Sequence, residues 1–311
     1  EVALKMALGY WRNSGKTRRT RVLALEHAYH GDTIGTMSAG ARGVFNAAYE
    51  ALLFEVGRIP FPAQGQEQAT LDALEAECKS GTVAALLVEP LILGAGGMLI
   101  YAPSVLAQMR EICKAHNVLL IADEVMTGFG RTGEVFACHL ADIAPDIMCV
   151  AKGLTGGSIP LAATLSTPEI YDAHYTQDRT KMFFHSSSFT ANPIACAAAA
   201  ANLEIWRSEA VKDRITNLAE WHKPLLARLA TDPRFSDPRQ IGTIAAIDVA
   251  VQNAGYLANV GLTMRKAMIA RGILLRPLGN TVYIMPPYCT TQAELENVYA
   301  ATASVADEVC A

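Results

Sequence analysis

Residues 118–125 read VLLIADEV: five apolar residues in unbroken succession, then the two carboxylates Asp123 and Glu124. A strand covered on one face alternates apolar with polar residues, whereas a continuous run marks a strand covered on both faces, as in parallel sheets flanked by helices. Working outward, Pro103-Ser104 opens a helix pattern with Val105, Met109, Ile112 and Cys113 at helical spacing and Asn117 as its stop. The runs RVLALE (21–26), VAALLVE (83–89), DIMCVAK (146–152) and LAATLS (161–166) have the same unalternating character. Apolar strands separated by helices predict an α/β fold built on a mostly parallel sheet covered by helices.

The 311 residues, at about 150 per domain, predict two lobes. With 51% apolar and 18% charged residues the chain can bury a sizeable core, which excludes disorder. The net charge of −4 supplies no global field for nucleic acid or an anionic membrane, so neither is expected as a partner. The basic stretch Arg12–Arg21 lacks aromatic residues and reads as a solvated connection. Seven cysteines without a CxxC pair, among them Cys113, Cys149 and Cys196 in apolar runs, read as reduced core residues of a cytoplasmic protein. Glu89, Pro90 and Gly94-Ala95-Gly96-Gly97 interrupt the longest apolar stretch, Thr82–Pro103, before it could cross a bilayer.

The alanine-rich segment Asn192–Trp206 reads as a closely packed helix, and Thr231–Arg239 as a hinge or surface loop rich in Pro and Asp. Strands around Gly242–Val251 and Gly272–Pro286, with helices at Ala258–Arg271 and Gln292–Glu308, predict a smaller α+β lobe. The expected division is 1–207 and 208–311. The chain opens inside an amphipathic helix pattern (Val2, Leu4, Met6, Leu8) without an initiator methionine or a cap, and so reads as a fragment.

Open parallel sheets bind ligands beyond the carboxyl ends of their strands. The polar residues that interrupt apolar strands at such ends are Glu89, Asp123 with Glu124, and Lys152. Lys152 ends a hydrophobic run, and the small residues Gly153, Gly156 and Gly157 after it leave room around an amine. A buried lysine tends to lose its proton, the state that attacks a carbonyl to form a Schiff base. Asp123 strengthens that reading, because a pyridoxal phosphate enzyme also needs an acid that keeps the pyridine nitrogen protonated. By themselves, Asp123 and Glu124 could equally ligate a metal or cap a helix; no His or Cys recurs near them at ligand spacing, and His27 and His30 belong to a different loop. Gly94-Ala95-Gly96-Gly97 lacks the G-x-G-x-x-G spacing, and Lys152 precedes its glycines instead of following them as in a Walker loop.

Four segments in order, YHGDT (29–33), LLIADEVMTGFGRTG (119–133), CVAKGLTGGSIPLAAT (149–164) and HSSSFTANPIACAAA (185–199), together resemble the class III aminotransferases of pyridoxal phosphate fold type I. The resemblance implies that Lys152 carries the cofactor as a Schiff base and is the general acid/base. It further implies that Asp123 pairs with the pyridine nitrogen, that Tyr29 and Val125 sandwich the ring, and that Ser188 reaches the cofactor phosphate of a neighbouring subunit. Ser186-Ser187 stand before Ser188 where the family has Gly-Pro before a Thr. The family also carries a further N-terminal segment with a Gly/Ser phosphate turn and aromatic substrate residues.

Within the class, GILLRPLG (272–279), the run around Tyr283-Ile-Met-Pro-Pro-Tyr288, and Asp32 resemble the branch that serves biotin synthesis. There S-adenosylmethionine gives its amino group to an oxononanoate. By this resemblance Arg276 binds the oxo-acid carboxylate, Arg131 helps to tell the two substrates apart, Tyr29 and Asp32 face the cationic donor, and Tyr283 lines the same pocket. The implied assembly is a homodimer with sites shared across the interface. Competing readings are a class III enzyme acting on an ω-amino acid, ornithine or 4-aminobutyrate, an aminomutase, or a non-catalytic derivative of the fold; Arg276 and Asp32 argue against the first two, and Lys152 with Asp123 against the last.

Overall fold

The computed structural model describes residues 1–251, 255 and 257–309, and the chain divides into two compact units. The first comprises Glu1–Gly96, Tyr101–Phe129 and Phe136–Arg207; the second comprises Gly97–Ile100, Gly130–Val135 and the chain from Ser208 onward. A single boundary after residue 207 therefore leaves out two short excursions. A glycine opens each: Gly97 (φ +111°) and Gly130 (φ +91°) adopt backbone shapes that residues with a Cβ avoid.

The first unit opens with α1 (Val2–Asn13), β1 (Arg21–Leu25), α2 (Ile34–Ala39), β2 (Gly57–Ile59), α3 (Glu67–Cys78), β3 (Val83–Val88) and β4 (Ile92–Leu93). The short β5 (Leu99–Ile100) belongs to the second unit. The first then resumes with α4 (Pro103–Ala115), β6 (Leu119–Asp123), α5 (Ala137–Leu140), β7 (Ile147–Val150), β8 (Ala163–Ser166), α6 (Pro168–His174) and α7 (Pro193–Ser208). Six strands form one sheet in the order β2-β1-β3-β6-β7-β8. All neighbours pair in parallel except β7 and β8. Only a 3-10 turn, Lys152–Thr155, lies between those two, so no helix carries the chain back to the opposite end of the sheet and β8 returns antiparallel. On one face Leu4, Ala7 and Trp11 of α1 pack with Ala85, Leu87, Leu119 and Ile121, and the Trp11 indole N–H donates to the Ala84 carbonyl at 2.8 Å. The alternate residues Leu86 and Leu120, fully buried, turn to the other face.

α7 departs from its expected close packing: only Ala195 and Ala199 are buried in the chain. Cys196 is exposed for the same reason, whereas Cys113 is buried and Cys149 half-buried.

The second unit is α+β. α8 (Val211–Leu229) precedes β9 (Phe235–Ile241) and β10 (Ile244–Val249), followed by α9 (Val260–Ala270), β11 (Thr281–Ile284) and α10 (Gln292–Val309). The strands form an antiparallel sheet, β11-β10-β9, over a core that includes Leu218, Phe235, Ile247, Met268 and Tyr299. Most of the supposed hinge at 231–239 is thus strand. β9 lies at the end of this three-stranded order, where Pro238 removes no ladder donor that a neighbour needs. Arg239 on that strand donates to the carbonyls of Gly97 (2.6 Å) and Met98 (3.1 Å) and to Asp248 (2.8 Å), tying the first excursion to the sheet.

Candidate active site

In the first unit four neighbouring strands deliver polar side chains at their carboxyl ends. β1 leads into Tyr29 and His30, β3 into Glu89, β6 ends on Asp123, and β7 is followed by Lys152. Asp123 pairs in register with Cys149, so Lys152 stands three residues beyond the position beside Asp123.

The two adjacent carboxylates part ways, as side chains on successive strand-end residues do. Asp123 is 12% exposed; its Oδ2 lies 2.8 Å from His30 Nδ1, and its Oδ1 accepts the Val125 N–H at 3.2 Å. Glu124 is fully buried. It accepts the Cys138 N–H at 2.9 Å and the Thr127 hydroxyl, which makes it a support for the turn after β6. Among the described residues no group of three or more His, Cys, Asp or Glu is placed to hold a metal ion.

His30, which the sequence places on a different loop from Asp123, meets that carboxylate in the fold. The loop after β1 reaches the end of β6 across β3, joining residues 93 apart. Its side chain is 1% exposed, and Nε2 is buried without a hydrogen-bond partner. Glu89 lies nearby and is buried; desolvation pushes its acid up to about 7, against the lowering influence of His30 and of the Tyr29 and Gly94 amides.

Lys152 is exposed in the chain, contrary to the expected buried amine, because the strand has already ended at Val150. Its backbone occupies the left-handed region, φ +43°, a strained shape for a residue with a side chain and one that gathers at functional sites. The glycine after it serves packing: a Cβ on Gly153 would lie 2.7 Å from the Phe129 Cβ.

Tyr29 and Val125 are half-buried. The Tyr29 ring sits 5.8 Å from that of Phe45, and both line a cavity of about 170 Å3 together with Asp32, Met37 and Gly96. Asp32 is exposed at this cavity. Ser188 is exposed in the loop before α7.

In the second unit, Arg131 Nη1 donates to the Pro286 carbonyl at 2.7 Å, and its guanidinium lies 4.8 Å from the centroid of the Tyr288 ring. Tyr283, half-buried in β11, stands opposite Ala246. Arg276 is exposed and has no hydrogen-bond or ion-pair partner among the described residues.

A profile of the family Aminotransferase class-III matches residues 1–305. The chain belongs to the class III aminotransferases. It is 49% identical to the adenosylmethionine-8-amino-7-oxononanoate aminotransferase of Synechococcus elongatus over 99% of its own length and 74% of that protein's. The enzyme of the same name from Geobacter sulfurreducens is 38% identical, over 95% of this chain and 70% of the relative. Among solved structures, that of the Methanocaldococcus jannaschii adenosylmethionine-8-amino-7-oxononanoate aminotransferase superposes with a TM-score of 0.92 at 32% identity, covering 99% of this chain and 72% of the other. A PLP-bound amine transaminase from an uncultivated Pseudomonas species gives 0.89 at 33%, covering 99% and 74%.

Aminotransferases of this class work through pyridoxal phosphate, and the first unit of this one fits that group. Asp123 is a half-buried carboxylate whose two oxygens are already oriented by His30 and Val125, as a partner for a protonated ring nitrogen requires. The same unit holds an exposed primary amine at Lys152 and half-buried side chains at Tyr29 and Val125.

Proposed function

We propose that this class III aminotransferase transfers the amino group of S-adenosylmethionine to 8-amino-7-oxononanoate, giving the diamine used in biotin synthesis. The observation that carries the reading is that Asp123 and Lys152 stand at the ends of the adjacent strands β6 and β7 while His30 reaches Asp123 from the loop after β1, in a chain whose relatives bear that activity in their names. When bound, pyridoxal phosphate supplies an electron-withdrawing ring that takes up the charge left as the donor's Cα loses a proton. Lys152 Nζ holds the cofactor covalently between turnovers. Once freed by the donor amine, it would carry the proton from the donor Cα to the cofactor C4′, and in the second half-reaction it would carry a proton back from C4′ to the acceptor carbon. Asp123, oriented by His30, would hold a proton on the ring nitrogen, and Tyr29 and Val125 would hold the ring.

Asp32 and Tyr29 face the donor, whose sulfonium charge suits a carboxylate. Arg276 takes the carboxylate of the oxo acid in a bidentate fork, Arg131 discriminates between the two substrates, and Tyr283 lines the acceptor pocket. The working form is a homodimer in which Ser188 serves the cofactor phosphate of the other copy. Support comes from the apolar surface of Met182, Phe184, Phe189, Ile194, Leu203 and Ile205, all exposed on the single chain. A cytosolic location agrees with six unpaired cysteines among the described residues. No helix of the described residues is long and apolar enough to cross a membrane.

Borohydride reduction followed by peptide mass analysis is expected to find the cofactor on Lys152, and single-turnover spectra are expected to show conversion by S-adenosylmethionine. Conversion only by ornithine, 4-aminobutyrate or another ω-amine would assign the chain to a different branch of the class.

A further inference from the structure

Glu89 occupies the place where the strand order reverses. β1 and β3 are neighbours, yet the next strand beside β1 is β2 and the next beside β3 is β6. Open α/β sheets bind their ligands outside such a switch point. The side chain, in a residue only 6% exposed, joins the loops that follow the two strands. Oε1 accepts the Tyr29 N–H at 2.9 Å, and Oε2 accepts the Gly94 N–H at 2.9 Å. The same loops touch through their backbones, since a Cβ on Gly96 would lie 2.4 Å from the His27 carbonyl oxygen. Both contribute to the cavity wall that contains Tyr29 and Asp32.

A buried carboxylate is an expensive fastener. Among the described residues no lysine or arginine pairs with Glu89, and desolvation disfavours its charge. Its chemistry is nevertheless specific to the task, because only a carboxylate presents two acceptors to two amides at once. Glutamine would set an NH2 group against one N–H, and an apolar side chain would leave both amides unpaired. A residue that held only the fold together would be replaced with profit by an uncharged one; a residue that holds the site would not.

We propose that Glu89 is a positioning residue, whose carboxylate locks the Tyr29 loop against the Gly94–Gly97 loop and so sets the tilt of the Tyr29 ring and the place of Asp32. The proposal rests on the cofactor and donor roles given above to Tyr29 and Asp32.

The test compares Glu89→Gln with the wild type in the full-length protein. Without cofactor, hydrogen exchange read by mass spectrometry is expected to quicken about tenfold in peptides covering 27–33 and 91–97, while Tm at pH 7.5 is unchanged or raised. With cofactor bound, the visible circular dichroism band changes amplitude, and KM for S-adenosylmethionine rises about tenfold while kcat falls less. A variant with lowered Tm but unchanged loop exchange, dichroism and KM overturns the proposal, because Glu89 would then serve stability alone. A wild type that refuses S-adenosylmethionine would instead break the donor reading, and the loop exchange and dichroism would still decide the role of Glu89.

Discussion

Two sets of polar side chains, both assigned above to the proposed reaction, stand in opposite states of preparation. At the strand ends of the first unit, Asp123 and Glu89 are mostly or fully buried and already bonded, to His30, Val125, Tyr29 and Gly94. Arg276 of the second unit is exposed and unpartnered, and Ser188 stands exposed in a surface loop. Buried polar groups must be satisfied within the chain or they oppose folding. Exposed ones can wait on water until a ligand or a second copy arrives. The first set is therefore built by folding, and the second is left free for the ligand and the second copy proposed above.

Four predictions press on this contrast. The largest effect belongs to Lys152→Ala, which is expected to abolish the reduced cofactor adduct and to lower kcat by at least about 10³. Peptide mass analysis finding the adduct on another lysine, with activity intact, would remove Lys152 from the site.

The next tests whether the second unit also contains polar groups fixed by folding. His222 of α8 is fully buried with Nδ1 2.8 Å from the Tyr299 hydroxyl, and burial lowers its pKa from 6.5 to about 4. Since the unfolded chain binds the proton more readily, stability is retained above pH 6.5 and lost as pH falls toward 4. The loss is at most about 3 kcal/mol. Urea titrations across that window should show this slope in the wild type and a flatter one in His222→Gln; equal slopes would count against it.

Arg276→Ala should raise KM for the oxo acid about thirtyfold, with the donor half-reaction unchanged and Tm unmoved, as befits a residue with nothing to support in the chain. Equal damage to both half-reactions in single-turnover kinetics would make Arg276 structural. Smallest is Ser188→Ala, expected to weaken cofactor affinity about fivefold without changing Tm in the cofactor-free protein. A fall in that Tm, followed by calorimetry, would place Ser188 among the groups fixed by folding.

The legible parts of the molecule were those encoded by neighbours in sequence. Continuous apolar runs announced β1, β3, β6 and β7, and the charged residues ending those runs announced Glu89, Asp123 and Lys152. What depends on strand order was hidden. His30 meets Asp123 only because the β1 loop crosses over β3, and Glu89 reaches Tyr29 only because β1 and β3 are neighbours. A residue's solvent exposure was hidden as well, since Lys152 looks buried in the run DIMCVAK but lies beyond the last residue of its strand. The exposed face of α7 was illegible for a related reason: alanines favour close approach without saying which chain approaches.

The two excursions into the second unit also govern the order in which the molecule can be finished. Residues 97–100 and 130–135 leave the ribosome well before the chain beyond Ser208 with which they pack, and the Gly97 carbonyl must await a guanidinium made 142 residues later. Such long-range closures slow folding. While the nascent chain grows, the guanidinium of Arg239 that holds the Gly97 and Met98 carbonyls is still unmade, so the earliest segments of the second unit wait on its last ones even when every residue of the first unit has been synthesised.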